Sequence, residues 1–118
     1  MQSNNEYLKR AEDFFEAGKK EYEYGLKNGD TLKIREGCEK VFHALVELSN
    51  AILSEHGIPK PKSHVERAEK LQQFGLDQLY DWTKERLHDT CYYEGLVRTS
   101  LLKPAIDSIE QEIKRRMI

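Results

Sequence analysis

Cysteine, proline and tryptophan are all scarce in this chain: two, three and one among 118 residues. Cys38 and Cys91 are far apart and have no metal-ligand spacing. That excludes a zinc ribbon or a cysteine-rich scaffold, and reduced thiols in a cytoplasmic protein are the expectation. Prolines occur only at 59, 61 and 104, which leaves long stretches free to be helical. No apolar run approaches membrane-spanning length and no secretory signal is visible, so no membrane association or export is expected. An excess of one charge is missing too. Nineteen basic residues face 21 acidic ones, for a net charge of −2. This argues against a strongly electrostatic nucleic-acid binder, although a local basic face remains open. The four histidines, at 43, 56, 64 and 88, are scattered, so neither a metal site nor a cofactor is expected.

Apolar residues are present, and they return with helical period. The length suits a single domain, 1–118, able to bury one core. A first helix is expected from about 6 to 26, with Tyr7, Leu8, Ala11, Phe14, Phe15, Gly18 and Tyr22 at steps of three and four. It ends at Asn28-Gly29, and Asp30 or Thr31 caps the next. The second helix, about 31–56, is the most apolar, with Cys38, Val41, Phe42, Leu45, Val46, Leu48, Ile52 and Leu53 in one wide stripe. Gly57, Pro59 and Pro61 keep the following connection out of helix. Ser63 and Glu66 have the spacing of a capping box, so a third helix starts there with Val65, Ala68, Leu71 and Phe74 directed inward. Gly75 breaks it. A fourth helix spans about 77–94, with Leu79, Tyr80, Trp82, Leu87 and Cys91 apolar, and Gly95 stops it. The last runs from about 100 to 117 with Pro104 in its opening turn. No stretch alternates with period two over strand length. The expected fold is all-α, an up-and-down bundle of four helices with a short additional one.

Chemistry concentrates in E-R-L-H-D-T-C-Y-Y-E-G, residues 85–95. On an α-helix His88 and Tyr92 are one turn apart, as are Asp89 and Tyr93, and Glu85 lies one turn before both His88 and Asp89. Arg86 points elsewhere. The strip therefore offers an imidazole, a carboxylate to orient it (Glu85 or Asp89) and two phenols, a set suited to binding phosphate or moving a proton. It also reads as a solvated helix face with tyrosines at the rim of the core. A second candidate is an anion site at Lys62 and His64, beside Lys60 at a helix N-terminus; the same residues also read as a plain cap. His43, on the apolar second helix, is expected to be packed in the core or in an interface. The basic run at 114–116 suits the last turn of a helix and needs no nucleic acid to explain it.

Taken in order, the apolar E-G-C-E-K-V-F-H-A-L-V-E-L-S-N-A-I-L-S-E-H-G-I-P, the P-K-S-H-V-E-R-A-E-K-L segment and L-H-D-T-C-Y-Y-E-G resemble the HEPN superfamily, and within it the small stand-alone archaeal HEPN-like proteins. The resemblance covers about residues 6–117. It implies a four-helix core with a short extra helix, usually dimeric. Active members are metal-independent ribonucleases with an Arg followed four to six residues later by a His. Others are non-catalytic binding modules, or partners of small nucleotidyltransferases in toxin–antitoxin pairs. This chain departs from that signature. No His follows Arg86 or Arg98 at the right distance, and His88 comes only two residues after Arg86. The expectation is thus a cytoplasmic, homodimeric binding or regulatory module for a nucleotide, an RNA or a protein, with Arg86, His88, Asp89, Tyr92, Tyr93 and Arg98 at the ligand. The competing expectation is a metal-independent ribonuclease or toxin using His88 with Arg86 or Arg98.

Overall fold

The computed structural model describes residues 4–117, with side chains from residue 6. Five helices account for nearly all of it, and no strand occurs among the described residues. They are α1 (Asn4–Asn28), α2 (Thr31–Glu55), α3 (His64–Leu71), α4 (Asp77–Thr83, continuing as a wider helix over Lys84–Tyr93) and α5 (Thr99–Met117). Two residues, Gly29 and Asp30, turn the chain between α1 and α2. Gly29 has φ +63° and so takes the left-handed conformation that closes a helix. Asp30 then caps α2, its carboxylate accepting the Lys33 N–H at 3.2 Å.

The two long helices run antiparallel and touch backbone to backbone. A Cβ on Gly18 would lie 2.7 Å from Val41 N, and one on Gly37 would lie 2.5 Å from Tyr22 N. Only glycine lets the helices approach this closely. Farther along the pair, Arg10 Nε donates to Glu47 Oε2 at 2.5 Å, and Lys40 pairs with Glu21. The inner stripe of α2 is as the periodicity predicts, and Val41, Phe42, Leu48 and Leu53 are almost fully buried. Each such side chain contributes about 1.5–3 kcal/mol relative to leaving it exposed. From α5, Leu102, Ala105, Ile106, Ile109 and Ile113 close the core. Pro104 stands in the second turn of α5, because the helix begins at Thr99.

Several expectations are corrected. Val65 faces solvent, 71% exposed, while Arg67 points inward with 5% exposed. His43 is exposed and so is not packed in the core, and the ring of Phe14 lies against it at 4.4 Å. Ser63 caps α3 as its spacing suggests, accepting from Glu66 N at 3.1 Å, but the Glu66 carboxylate takes the N–H of Lys62 and not that of Ser63. Cys38 and Cys91 are joined in a disulfide between α2 and α4, with Cα atoms 6.4 Å apart, so the expected free thiols are absent.

Candidate functional site

The stretch 84–93 is not an ordinary α-helix. It is wound more widely, with i→i+5 hydrogen bonding of the kind Glu94 N makes to Asp89 O at 3.0 Å. The wider turn changes who meets whom. Lys84 Nζ reaches Asp89 at 3.1 Å, and the His88 ring meets Tyr93 edge-on at 4.9 Å, both contacts between residues five apart. The four-apart pair His88 and Tyr92 lies farther off, at 6.5 Å.

This wide segment is fixed against one face of α2. The Arg35 guanidinium donates to Tyr92 O at 2.7 and 3.0 Å and to Tyr93 O at 3.1 Å, satisfying carbonyls at the helix end that have no partner of their own. Cys38, almost one turn on, holds Cys91. Glu39 Oε1 lies 2.7 Å from His88 Nδ1, and Phe42 stands against the His88 ring at 5.2 Å. Residues 35, 38, 39 and 42 thus form one stripe that sets the position of His88.

His64, at the start of α3, faces the same point, its ring 5.1 Å from that of His88. The two places separated in sequence are therefore one site. They share a pocket of about 370 Å³ whose wall includes Glu39, Asn50, Lys60, His64, Arg67 and His88. Behind it runs a chain of polar contacts. Arg67 donates from Nε to Asn50 Oδ1 at 3.1 Å, from Nη1 to the Tyr80 hydroxyl at 3.3 Å and from Nη2 to Pro61 O at 3.1 Å. Asn50 in turn donates to Glu47 Oε1 at 2.9 Å, and Glu47 is paired with Arg10. The Tyr80 hydroxyl lies 2.6 Å from His64 Nδ1. Burial depresses the pKa of His64, and the neighbouring His88 and Arg67 push it the same way. Burial raises that of Tyr80 against the opposing pull of Arg67.

Charge within the pocket does not cancel pairwise. Glu47 has Arg10, and Glu39 has the imidazole of His88. Arg67 is buried, and its partners Asn50, Tyr80 and Pro61 are all neutral. Of its five N–H donors three are engaged and two remain. Comparison with family models, with curated proteins and with solved structures finds no match.

Of the residues the sequence pointed to, His88, His64 and His43 line the pocket. Glu39 takes the orienting role expected of Glu85 or Asp89, while Asp89 is held by Lys84. Tyr93 is 65% exposed on the outer side of the His88 ring. Tyr92 borders a neighbouring groove with Lys33 and Lys40. Arg86 lies over the Trp82 ring at 4.5 Å, and Arg98 is exposed at the start of α5, where its carbonyl accepts from Leu101 and Leu102. Lys62 is exposed, and Lys60 lines the pocket in its place. Arg67, Glu39, Asn50 and Tyr80 are site residues that were not anticipated. A signal for the first was present: His64, Arg67, Ala68 and Leu71 stand at i, i+3, i+4 and i+7, the inner face of α3. No cluster of metal-ligating side chains occurs among the described residues.

Proposed function

We propose that this chain is a HEPN-like helical domain whose pocket between α2, α3 and α4 binds the phosphate of a nucleotide or an RNA. One observation carries the reading: Arg67 is a buried cation that lines the pocket, and its hydrogen-bond partners among the described residues, Asn50, Tyr80 and Pro61, are neutral. A buried charge left unpaired is costly, and a bound anion removes that cost. Two free guanidinium N–H groups, with Lys60 on the same wall, suit a phosphate oxygen. The homodimer and a nucleotidyltransferase partner belong to the same reading through the family resemblance, and a cytoplasmic location is proposed with them. Isothermal titration calorimetry against nucleoside monophosphates and a short single-stranded RNA tests it. Arg67→Met, which removes the charge and keeps the length, should weaken binding at least tenfold. Equal affinity in the variant would sink the proposal.

A second reading has its own support: two imidazoles share the pocket, 5.1 Å apart. RNA carries its own nucleophile in the 2′-hydroxyl, so a protein that positions it and moves protons can cleave the strand without metal. In this reading His88 acts with His64 and Arg67, and not with Arg86 or Arg98. Cleavage of mixed RNA in EDTA, lost in His88→Ala, is the expected result. An intact RNA pool across pH and temperature would exclude it.

A further inference from the structure

Resting on the cleavage reading, we infer that His88 and His64 are preset for opposite proton roles, His88 as base and His64 as acid, with Tyr80 resupplying the proton that His64 gives up. The assignment follows from what each Nδ1 meets. Glu39 can only accept, so the neutral His88 ring places its proton on Nδ1 and leaves a lone pair on Nε2. Tyr80 stands between a group that can only donate, Arg67, and the His64 ring. Its hydroxyl oxygen therefore accepts from Arg67, and its proton points at His64 Nδ1. This forces the His64 proton onto Nε2. One ring has an empty Nε2 and the other a filled one, and neither Nε2 has a hydrogen-bond partner among the described residues. The depressed pKa of His64 agrees with a neutral ring at that position.

The step balances. The RNA 2′-hydroxyl gives its proton to His88 Nε2 as its oxygen bonds to phosphorus. The bond from phosphorus to the leaving oxygen breaks, and that oxygen takes the proton from His64 Nε2. His64 Nδ1 simultaneously takes the phenolic proton of Tyr80. A neutral imidazole could not serve as an acid here without that resupply, because it would be left as an anion. No oxidant, metal or other reagent is consumed. The products are a cyclic phosphate and a free hydroxyl. The charges also fall into place. Before transfer Glu39 and Arg67 each face a neutral partner. Afterwards Glu39 faces an imidazolium and Arg67 a phenolate. Glu39 and Arg67 thus each offset part of the charge that the transfer creates, Arg67 against the burial that raises the Tyr80 pKa. This is also a reason for leaving Arg67 without a carboxylate.

Tyr80 acts through His64, so it is a positioning residue, and leaving-group dependence separates its role from a structural one. Two substrates are compared in EDTA: the dinucleotide uridylyl-adenosine, whose leaving alkoxide needs a proton, and uridine 4-nitrophenyl phosphate, whose leaving phenolate does not. Tyr80→Phe and His64→Gln should each lower the rate on the dinucleotide on the order of a hundredfold. The loss on the aryl ester should be at least tenfold smaller. His88→Ala should lower both rates alike. Helical circular dichroism is measured for each variant, and having two variants guards against one that fails to fold. Equal losses on the two substrates would overturn the relay while leaving the cleavage reading intact. Cleavage of neither substrate by the native chain, with uridine monophosphate still bound in an Arg67-dependent way, would overturn relay and cleavage together and leave the phosphate pocket standing.

Discussion

Replacing Gly37 by alanine tests how closely α1 and α2 are pressed together. The new Cβ would meet Tyr22 N at 2.5 Å and Gly18 O at 2.7 Å, both backbone atoms that no side-chain rotation can move. Ordinary contact begins near 3.4 Å. The helices must therefore part by roughly 0.9 Å, a gap that forfeits about a quarter to a half of the dispersion energy of each atom pair at the crossing. Overpacking in such places costs about 1–3 kcal/mol, and the better helix propensity of alanine offsets about 1 kcal/mol of it. Because backbone blocks the way on two sides, the upper end of that range applies. The expected net loss is about 2 kcal/mol, or roughly 8 °C in Tm for a domain of this size. Urea unfolding followed by circular dichroism should show a lower midpoint at unchanged slope. Gly18→Ala meets Val41 N at 2.7 Å and should cost a similar amount. One separation relieves both clashes, so the double variant should lose clearly less than the two singles combined. A neutral or stabilised Gly37→Ala, or strict additivity, would refute the close crossing.

Two further outcomes concern the seam between α2 and α4 and the pocket beside it. The Cys38–Cys91 bond closes a loop of 53 residues, and chain-entropy arguments give about 4 kcal/mol for a loop of that length. Dithiothreitol, or Cys91→Ala, should lower the unfolding midpoint accordingly; two titratable thiols in the denatured, unreduced chain would contradict the bond. His64 has a folded pKa below its ordinary 6.5, so the unfolded chain binds the extra proton more readily. Its contribution to stability is full above pH 6.5 and declines as the pH falls from there toward the folded value. His64→Gln should therefore flatten the acid side of the stability curve, and an unchanged acid slope would show that His64 is not the group responsible.

Much of the architecture was legible because it rests on period and caps. The α2 stripe, the Asp30 and Ser63 caps and the stop at Gly95 follow from local rules that tertiary contacts did not override. The site was legible only in fragments. Glu39, Glu47 and Asn50 sit on the most apolar helix, where attention goes to the residues that fill the core. Their role depends on partners 49, 37 and 17 positions away. Arg67 lost to Val65 in the reading of α3 because hydrophobicity ranks valine first. The polar network reversed that order, since Asn50, Tyr80 and Pro61 supply what the guanidinium needs in order to be buried. The union of His64 with His88 is a tertiary fact with no local signal. The disulfide was hidden for the same reason: two cysteines 53 residues apart predict nothing until α2 and α4 are side by side.

The wide winding of residues 84–93 makes the length of this segment part of its meaning. The i→i+5 bonding puts about one residue more in each turn than an α-helix has, so removing one residue between His88 and Cys91, with the wide winding kept, would rotate everything after it away from α2. Such a deletion would carry Cys91 off Cys38 and the carbonyls of Tyr92 and Tyr93 off Arg35, while leaving every one of those residues in the sequence. Substitution scans would not reveal this dependence, but a scan of single deletions and insertions would. The segment behaves as a ruler whose divisions are coarser than those of the helices around it.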